Sequence, residues 1–150
     1  MPEKFKLLLS VMRLYESNFR NLHWNSKGME FDNGHKQISE EYYELYSANI
    51  DKVAEIMGMF GINPDNYIDT VIYLTENKKY LMIDTSILYS RDDIVKAADI
   101  MLGDTCRLIA EVLKLEELED TINAGIKSSL ESILEEFTLQ YRYINKRKLM

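Results

Sequence analysis

Two histidines, the only two in the chain, lie in one polar stretch near the N-terminus, NFRNLHWNSKGMEFDNGHKQ (18–37). His23 precedes the only tryptophan, Trp24, and His35 follows the turn-forming tract FDNG. Neutral imidazoles are common metal ligands, so their joint placement suggests a metal site. Spacing alone is explained equally well by one histidine at a core edge and another in an exposed loop.

Two acids on the next predicted helix, Asp51 and Glu55, are four residues apart and therefore lie one turn apart on the same face. Neither has a Lys or Arg four residues away, and Lys52 is the nearest basic residue to Glu55. A solvated acidic face is the ordinary explanation of such a pair. A divalent cation would relieve their repulsion, and carboxylates with imidazoles form a ligand set suited to iron or zinc.

The composition bounds the class of protein. The chain has 150 residues, 46% apolar and 29% charged, which predicts a single helix-rich domain over residues 1–150. No apolar run approaches the ~20 residues that span a bilayer, so we expect no membrane partner. The only cysteine, Cys106, is expected to be buried, and one cysteine favours a cytoplasmic location. A net charge of −7 argues against nucleic acid and suits a protein that collects cations.

Apolar residues recur at helical spacing in four long segments, over residues 5–24, 38–60, 90–113 and 119–144. Asn33-Gly34 is expected to form a turn at positive φ, and Gly61 to end the second helix. The connection 62–90 is long and contains a short helix-like segment, NYIDTVIYLTE. These elements predict an all-α, ferritin-like four-helix bundle with a long crossover between helices 2 and 3 that carries a short helix.

The predicted helical faces separate the histidines from the acids. The core stripe of the first helix (Leu8, Met12, Tyr15, Phe19) leaves His23 at its edge, and Trp24 points away from the core. On the second helix, Asp51 and Glu55 lie opposite the core face. Histidines and acids of one chain would not readily converge, whereas those of two chains could meet across a two-fold interface.

The stretch LHWNSKGMEF (22–31), followed by His35 and by DKVAE (51–55), resembles the Dps family of mini-ferritins. The shared features are an LHWN-x-x-G-x-x-F segment, a second histidine twelve residues after the first, and a D-x-x-x-E pair on the following helix. The resemblance extends over the whole chain in the order of its helices and includes the crossover.

The resemblance implies a homo-oligomeric hollow shell, a dodecamer, that oxidises Fe(II) at two-fold shared sites and stores ferric iron, protecting against peroxide. The oxidant, hydrogen peroxide or dioxygen, stays open. Carried over, His23 and His35 of one subunit and Asp51 and Glu55 of its neighbour are the iron ligands. Trp24 flanks the site. Acids near the start of the fourth helix line the three-fold pores in similar proteins, which here gives Glu116, Glu117, Glu119 and Asp120; a capping role explains acids there equally well.

One departure from the family concerns the register of His35. Similar proteins carry an Asp four residues after the second histidine, where this chain has Ser39, and the next acid, Glu40, has the family's spacing to Asp51. We interpret this as one extra residue between His35 and Glu40, with Glu40 as a further metal ligand. On an uninterrupted α-helix the extra residue would turn His35 away by ~100°. A bulge or a looser first turn would absorb it.

Other functions are weighed against this one. A site of the Glu-x-x-His kind inside one bundle is excluded, because neither histidine follows a glutamate by three residues. DNA is not an expected partner, since KRK (146–148) is the only basic candidate and favours the C-terminal helix dipole. A ferritin-like structural or interaction protein with a degraded metal site is the alternative, and it depends on the shifted His35.

Overall fold

A computed structural model of the chain describes residues 1–28, 32–76 and 79–148. Within these residues, five α-helices form the framework: α1 (Pro2–Trp24), α2 (Glu41–Met59), α3 (Tyr67–Glu76), α4 (Arg91–Leu113) and α5 (Ala124–Lys148). The long helices α1, α2, α4 and α5 form a four-helix bundle in which α1 packs on α2 and α4, and α4 packs on α5. The short α3 lies in the crossover between α2 and α4 and packs on α1. The predicted fold class is confirmed.

The core stripe of α1 is the predicted one, since Leu8, Met12, Tyr15 and Phe19 have no exposed surface. An aromatic cluster continues from it into the centre of the bundle. Phe19 lies 5.4 Å from Tyr42 and 5.6 Å from Tyr46, and Tyr46 lies 4.9 Å from Phe137 between ring centroids. This cluster joins α1 to α2 and α5 close to the end of α1 that carries His23.

The segment between α1 and α2 differs from the predicted turn. Residues Asn33–Glu40 form a π-helical turn, which we call the π-turn, and it continues directly into α2. Among the described residues only Gly28 and Gly61 have positive φ, so the prediction of positive φ at Asn33-Gly34 is wrong. Gly34 instead permits close packing on α4, since a Cβ there would lie 3.1 Å from Ile94 Cδ1.

Helix ends follow the capping chemistry of the sequence in two places. Gly61, at φ 72°, follows α2, and the Ile62 N–H donates to the Met57 carbonyl, as in a Schellman motif. At the other end of the crossover, Ser90 accepts from the Asp93 N–H while the Asp93 side chain accepts from the Ser90 N–H. This capping box explains why α4 begins where it does.

Replacing Ser90 with alanine is expected to lower the free energy of unfolding by about 1 kcal/mol, because the first turn of α4 loses a cap. Chemical denaturation at one fixed subunit concentration measures the change. Ser128→Ala, at an exposed position within α5, is the control and should differ from wild type by less than about 0.5 kcal/mol. Equal effects of the two substitutions would contradict the capping role.

The start of the last helix is later than predicted. Two 3₁₀ turns, Glu116–Glu119 and Thr121–Asn123, precede α5, which begins at Ala124. Ile122, which falls inside the predicted fourth helix (119–144), lies in the second of these turns and is 85% exposed. Cys106 on α4 is half-buried rather than buried; its Sγ lies 3.8 Å from Thr138 Oγ1, and burial raises the pKa of the thiol. No helix in the described part of the chain combines the length and apolar character needed to cross a membrane.

Candidate metal centre

His23 occupies the last turn of α1, where the core stripe reaches the end of the bundle. Its half-buried imidazole packs edge-on against the Tyr43 ring, at 5.4 Å between centroids and an interplanar angle of 68°. The Arg20 guanidinium lies over Tyr43, at 4.6 Å from the ring centroid. Tyr43 is therefore held from one side by a cation and packs against the imidazole on another.

The π-turn brings His35 against His23. The two imidazoles stack at 3.7 Å between centroids with an interplanar angle of 20°. Hydrogen bonds in a π-helix run from i to i+5, so such a turn holds one residue more than an α-helical turn. The extra residue inferred between His35 and Glu40 is thus absorbed by a looser turn. The rotation of His35 expected on an uninterrupted α-helix does not occur.

Each histidine is bound to the backbone of the other. His23 Nδ1 lies 2.9 Å from the His35 carbonyl oxygen, and His35 Nδ1 lies 2.8 Å from the His23 carbonyl oxygen. These two hydrogen bonds and the ring stack join the end of α1 to the π-turn. The arrangement sets two imidazoles in contact at one end of the bundle, which is the kind of nitrogen pair that a transition metal can use.

The predicted acidic ligands lie elsewhere on the subunit. Asp51 and Glu55 are exposed on α2, and Glu40 is half-buried where the π-turn passes into α2. Within residues 1–28, 32–76 and 79–148, no three His, Cys, Asp or Glu side chains are close enough together to hold a metal ion. The structure brings the two histidines together and leaves the three acids apart from them.

Glu55 lines a groove of about 310 Å³ between α2 and α5, together with Lys52 and Glu136. Asn49, only 1% exposed, donates its side-chain N–H to Glu136 Oε2 at 2.9 Å. The sequence pattern did not point to Glu136. Glu136 belongs to a helix remote in sequence, and no spacing rule connects it to Glu55.

Trp24 points away from the core, as predicted, with 67% of its surface exposed. It lines a shallow groove of about 260 Å³ with Arg20, Ile50 and Tyr67. Tyr67 is itself 62% exposed. Large exposed aromatic side chains around a groove are characteristic of protein interfaces.

The chain was compared with known proteins in sequence and structure, and no family model matches it. Two curated relatives, from Porphyromonas gingivalis and Helicobacter pylori, are each called "DNA protection during starvation protein" and are 36% identical to this chain. The matches cover 48% and 51% of this chain and 45% and 49% of the relatives. The chain thus spans about half the length of the curated relatives it matches.

The structural likeness extends over nearly the whole chain. A Dps protein from Vibrio cholerae, described as a member of a broad superfamily of ferritin-like diiron-carboxylate proteins, superposes with a TM-score of 0.78 at 18% identity. The superposition covers 97% of this chain and 86% of that one. The chain has the fold of Dps proteins, and part of its sequence is similar to theirs. Its ferritin-like bundle is the Dps fold.

The structure explains the glycine of the sequence segment that resembles Dps proteins. Gly28 has φ 100°, a conformation that strongly favours glycine, and it follows the segment that leaves α1. Ser26 in that segment pairs with Tyr89 of the crossover: the Tyr89 N–H donates to the Asn25 carbonyl and the Lys27 N–H to the Tyr89 carbonyl. Phe31, the aromatic residue of the motif, lies outside the described residues.

Two charged tracts that the sequence analysis considered for iron entry and for DNA binding are engaged in local contacts. Before α5, Asp120 caps the 3₁₀ turn through the Ile122 N–H, and Glu119 pairs with Lys127 at 3.3 Å. In the basic tract at the end of α5, Lys148 pairs with Asp99 at 2.6 Å, and Arg147 donates to the Tyr42 hydroxyl. Burial raises the pKa of Tyr42 to about 12, although the nearby Arg147 opposes the shift.

Proposed function

We propose that this chain is an iron-storing mini-ferritin that oxidises Fe(II) at sites shared between two copies and keeps the ferric product in a hollow homo-oligomeric shell, a dodecamer. It would act as one domain, in the cytoplasm. The observation that carries the proposal is the stacked pair His23 and His35, held together by reciprocal hydrogen bonds. The likeness to Dps proteins in fold and in part of the sequence supports the iron chemistry.

The ligand set is proposed to be completed by a second copy. His23 and His35 would supply nitrogen from one subunit, and Asp51 and Glu55 would supply oxygen from its neighbour. In a two-fold interface any contact of one residue with another occurs twice, so one interface would hold two equivalent sites. The exposure of Asp51, Glu55 and Trp24 agrees with surfaces that become buried on pairing.

The donor set fits iron in both oxidation states. Imidazole suits Fe(II), and the hard carboxylate oxygens stabilise the additional charge of Fe(III). With hydrogen peroxide, two Fe(II) ions each give one electron and the O–O bond breaks to form two hydroxide ions. Removal of peroxide and of Fe(II) in one step would protect against peroxide. Glu40 is proposed as a further oxygen ligand, and Trp24 as the aromatic side chain flanking the site.

The alternative, a structural or interaction protein with a degraded metal site, depended on the register of His35. Because the π-turn brings His35 into contact with His23, that argument no longer favours it. The net charge of −7 also suits a protein that attracts cations.

The test is a titration of the purified assembly with Fe(II) without oxygen, followed by mixing with hydrogen peroxide or with air. A fast oxidation phase that saturates with Fe(II) is expected, and the better oxidant is identified by its rate. His23→Ala should abolish this phase while the particle mass in solution stays unchanged. Lys96→Ala, at an exposed position on α4, is the control and should keep it. Absence of a saturable phase in the wild type, or a monomeric mass, would reject the proposal.

A further inference from the structure

The carbonyl group of His35 accepts two hydrogen bonds that connect the histidine pair to Ser39. One comes from His23 Nδ1 at 2.9 Å and the other from the Ser39 hydroxyl at 3.0 Å. Ser39 Oγ also lies 2.6 Å from the Gly34 carbonyl oxygen, so its single hydrogen is shared between the two carbonyls of the π-turn. Ser39 has no exposed surface.

The bond to the His35 carbonyl determines where His23 carries its hydrogen. A carbonyl oxygen can only accept, so His23 Nδ1 must be the donor. In the neutral ring the lone pair is then on Nε2, which is the nitrogen that would bind a metal. A hydrogen bond from the other ring nitrogen to a carbonyl is the usual way in which proteins fix the tautomer and orientation of a ligating imidazole.

We propose that Ser39 is a positioning residue for His23, acting through the His35 carbonyl. In a π-turn the backbone carbonyls accept from the N–H five residues on rather than four. The buried Ser39 hydroxyl is an additional donor to the Gly34 and His35 carbonyls. With that donor in place, the His35 carbonyl stays directed at His23 Nδ1. This inference rests on the proposed iron site for its purpose, but the hydrogen-bond assignment can be tested without any metal.

The backbone carbonyl of His23 has the same two kinds of donor as that of His35. The His23 carbonyl accepts from His35 Nδ1 at 2.8 Å and from the Ser26 hydroxyl at 3.1 Å. Each backbone carbonyl of the pair therefore receives one imidazole N–H and one serine hydroxyl. Ser39 is the more informative of the two serines, because it is fully buried and lies within the π-turn.

The first measurement is the tautomer of His23 in the metal-free assembly at pH 8.5, by solid-state NMR of protein labelled with ¹⁵N only in histidine. The chain has just two imidazoles, and the spectrum of His23→Gln assigns them. We expect His23 to carry hydrogen on Nδ1 in the wild type. In Ser39→Ala, a second population with hydrogen on Nε2 should appear. A wild-type His23 with hydrogen on Nε2 would overturn the proposal.

The second measurement is binding of Co(II), followed by its visible absorption. Ser39→Ala should weaken Co(II) binding about 10- to 100-fold, as is typical when the partner of a ligating group is lost. Ser10→Ala is the matched control, since Ser10 is also buried on a helix but lies roughly 20 Å along α1 from His23. It should bind Co(II) like the wild type.

A pair of nearly isosteric variants covers the case in which Ser39→Ala does not assemble. Ser39→Thr keeps the hydroxyl and Ser39→Val lacks it, so only the former should keep the wild-type tautomer and Co(II) affinity. Equal behaviour of these two variants would overturn the proposal. A wild type that neither binds Co(II) nor oxidises iron would reject the proposed function, while the tautomer populations of the variants would still decide the role of Ser39.

Discussion

Assemblies made from equal amounts of His23→Ala subunits and Asp51→Ala subunits are expected to oxidise Fe(II), although neither variant does so alone. The proposed site takes its histidines from one subunit and its acids from the other. In a mixed two-fold pair, one site then combines both defects, and the other has the intact histidines of one subunit and the intact acids of its partner.

Random co-assembly makes about half of the two-fold pairs mixed, and each keeps one of its two sites, so about a quarter of the wild-type fast phase should return. The measurement is the amplitude of the fast phase after joint unfolding and reassembly. A mixture of His23→Ala with His35→Ala is the matched control and should stay inactive, because every site lacks one histidine. An inactive His23→Ala and Asp51→Ala mixture, with an active reassembled wild type, would exclude a shared site.

The second large effect is expected from Phe19→Ala, which should lower the free energy of unfolding by about 3–5 kcal/mol. Phe19 is fully buried and packs against both Tyr42 and Tyr46, so its loss leaves a cavity where α1 meets α2. Denaturant unfolding followed by circular dichroism measures the change.

The matched control for Phe19→Ala is Ile122→Ala, which removes an apolar side chain that is 85% exposed. It should change the free energy of unfolding by less than about 0.5 kcal/mol. Both variants must be compared at one subunit concentration, because assembly contributes to apparent stability. A loss below about 1 kcal/mol for Phe19→Ala would mean that the aromatic cluster does not hold α1 against α2.

The helical framework was predictable because its signals are local. Apolar residues at helical spacing identified the buried stripe of α1 and the third long helix, predicted over residues 90–113 and observed as α4. The outward direction of Trp24 followed from the same geometry. Each of these features depends on contacts within one helix or on which face of it is apolar.

The π-turn was not predictable, because the extra residue could equally have produced a bulge or a rotated His35. Contacts from outside the segment select the π-turn: Gly34 packs on Ile94 of α4, and the Ser39 hydroxyl binds the Gly34 and His35 carbonyls. The prediction of positive φ at Gly34 was wrong because contacts with α4, which the local sequence does not show, determine the conformation there. Glycine there serves close packing rather than a turn.

The candidate residues were visible in the sequence and their ligand roles stay a prediction, whereas their supporting contacts were not predictable. The spacing of His23, His35, Asp51 and Glu55 is visible in the sequence. Tyr43, which packs on His23, could not be distinguished by sequence from other half-buried helical tyrosines.

The late start of α5 was also not predicted, because acids before a helix are compatible with both a first turn and separate 3₁₀ turns.

The pairing of Ser26 with Tyr89 has a consequence for the order of events during synthesis. His23 and His35 are close in sequence, so bringing them together needs little loop closure. The segment after α1 makes its backbone hydrogen bonds to Tyr89 only after the end of the crossover has been synthesised. We therefore expect ribosome-bound chains shorter than about 90 residues to leave the histidine segment incomplete; under the proposed function, iron binding would then wait until the bundle has formed.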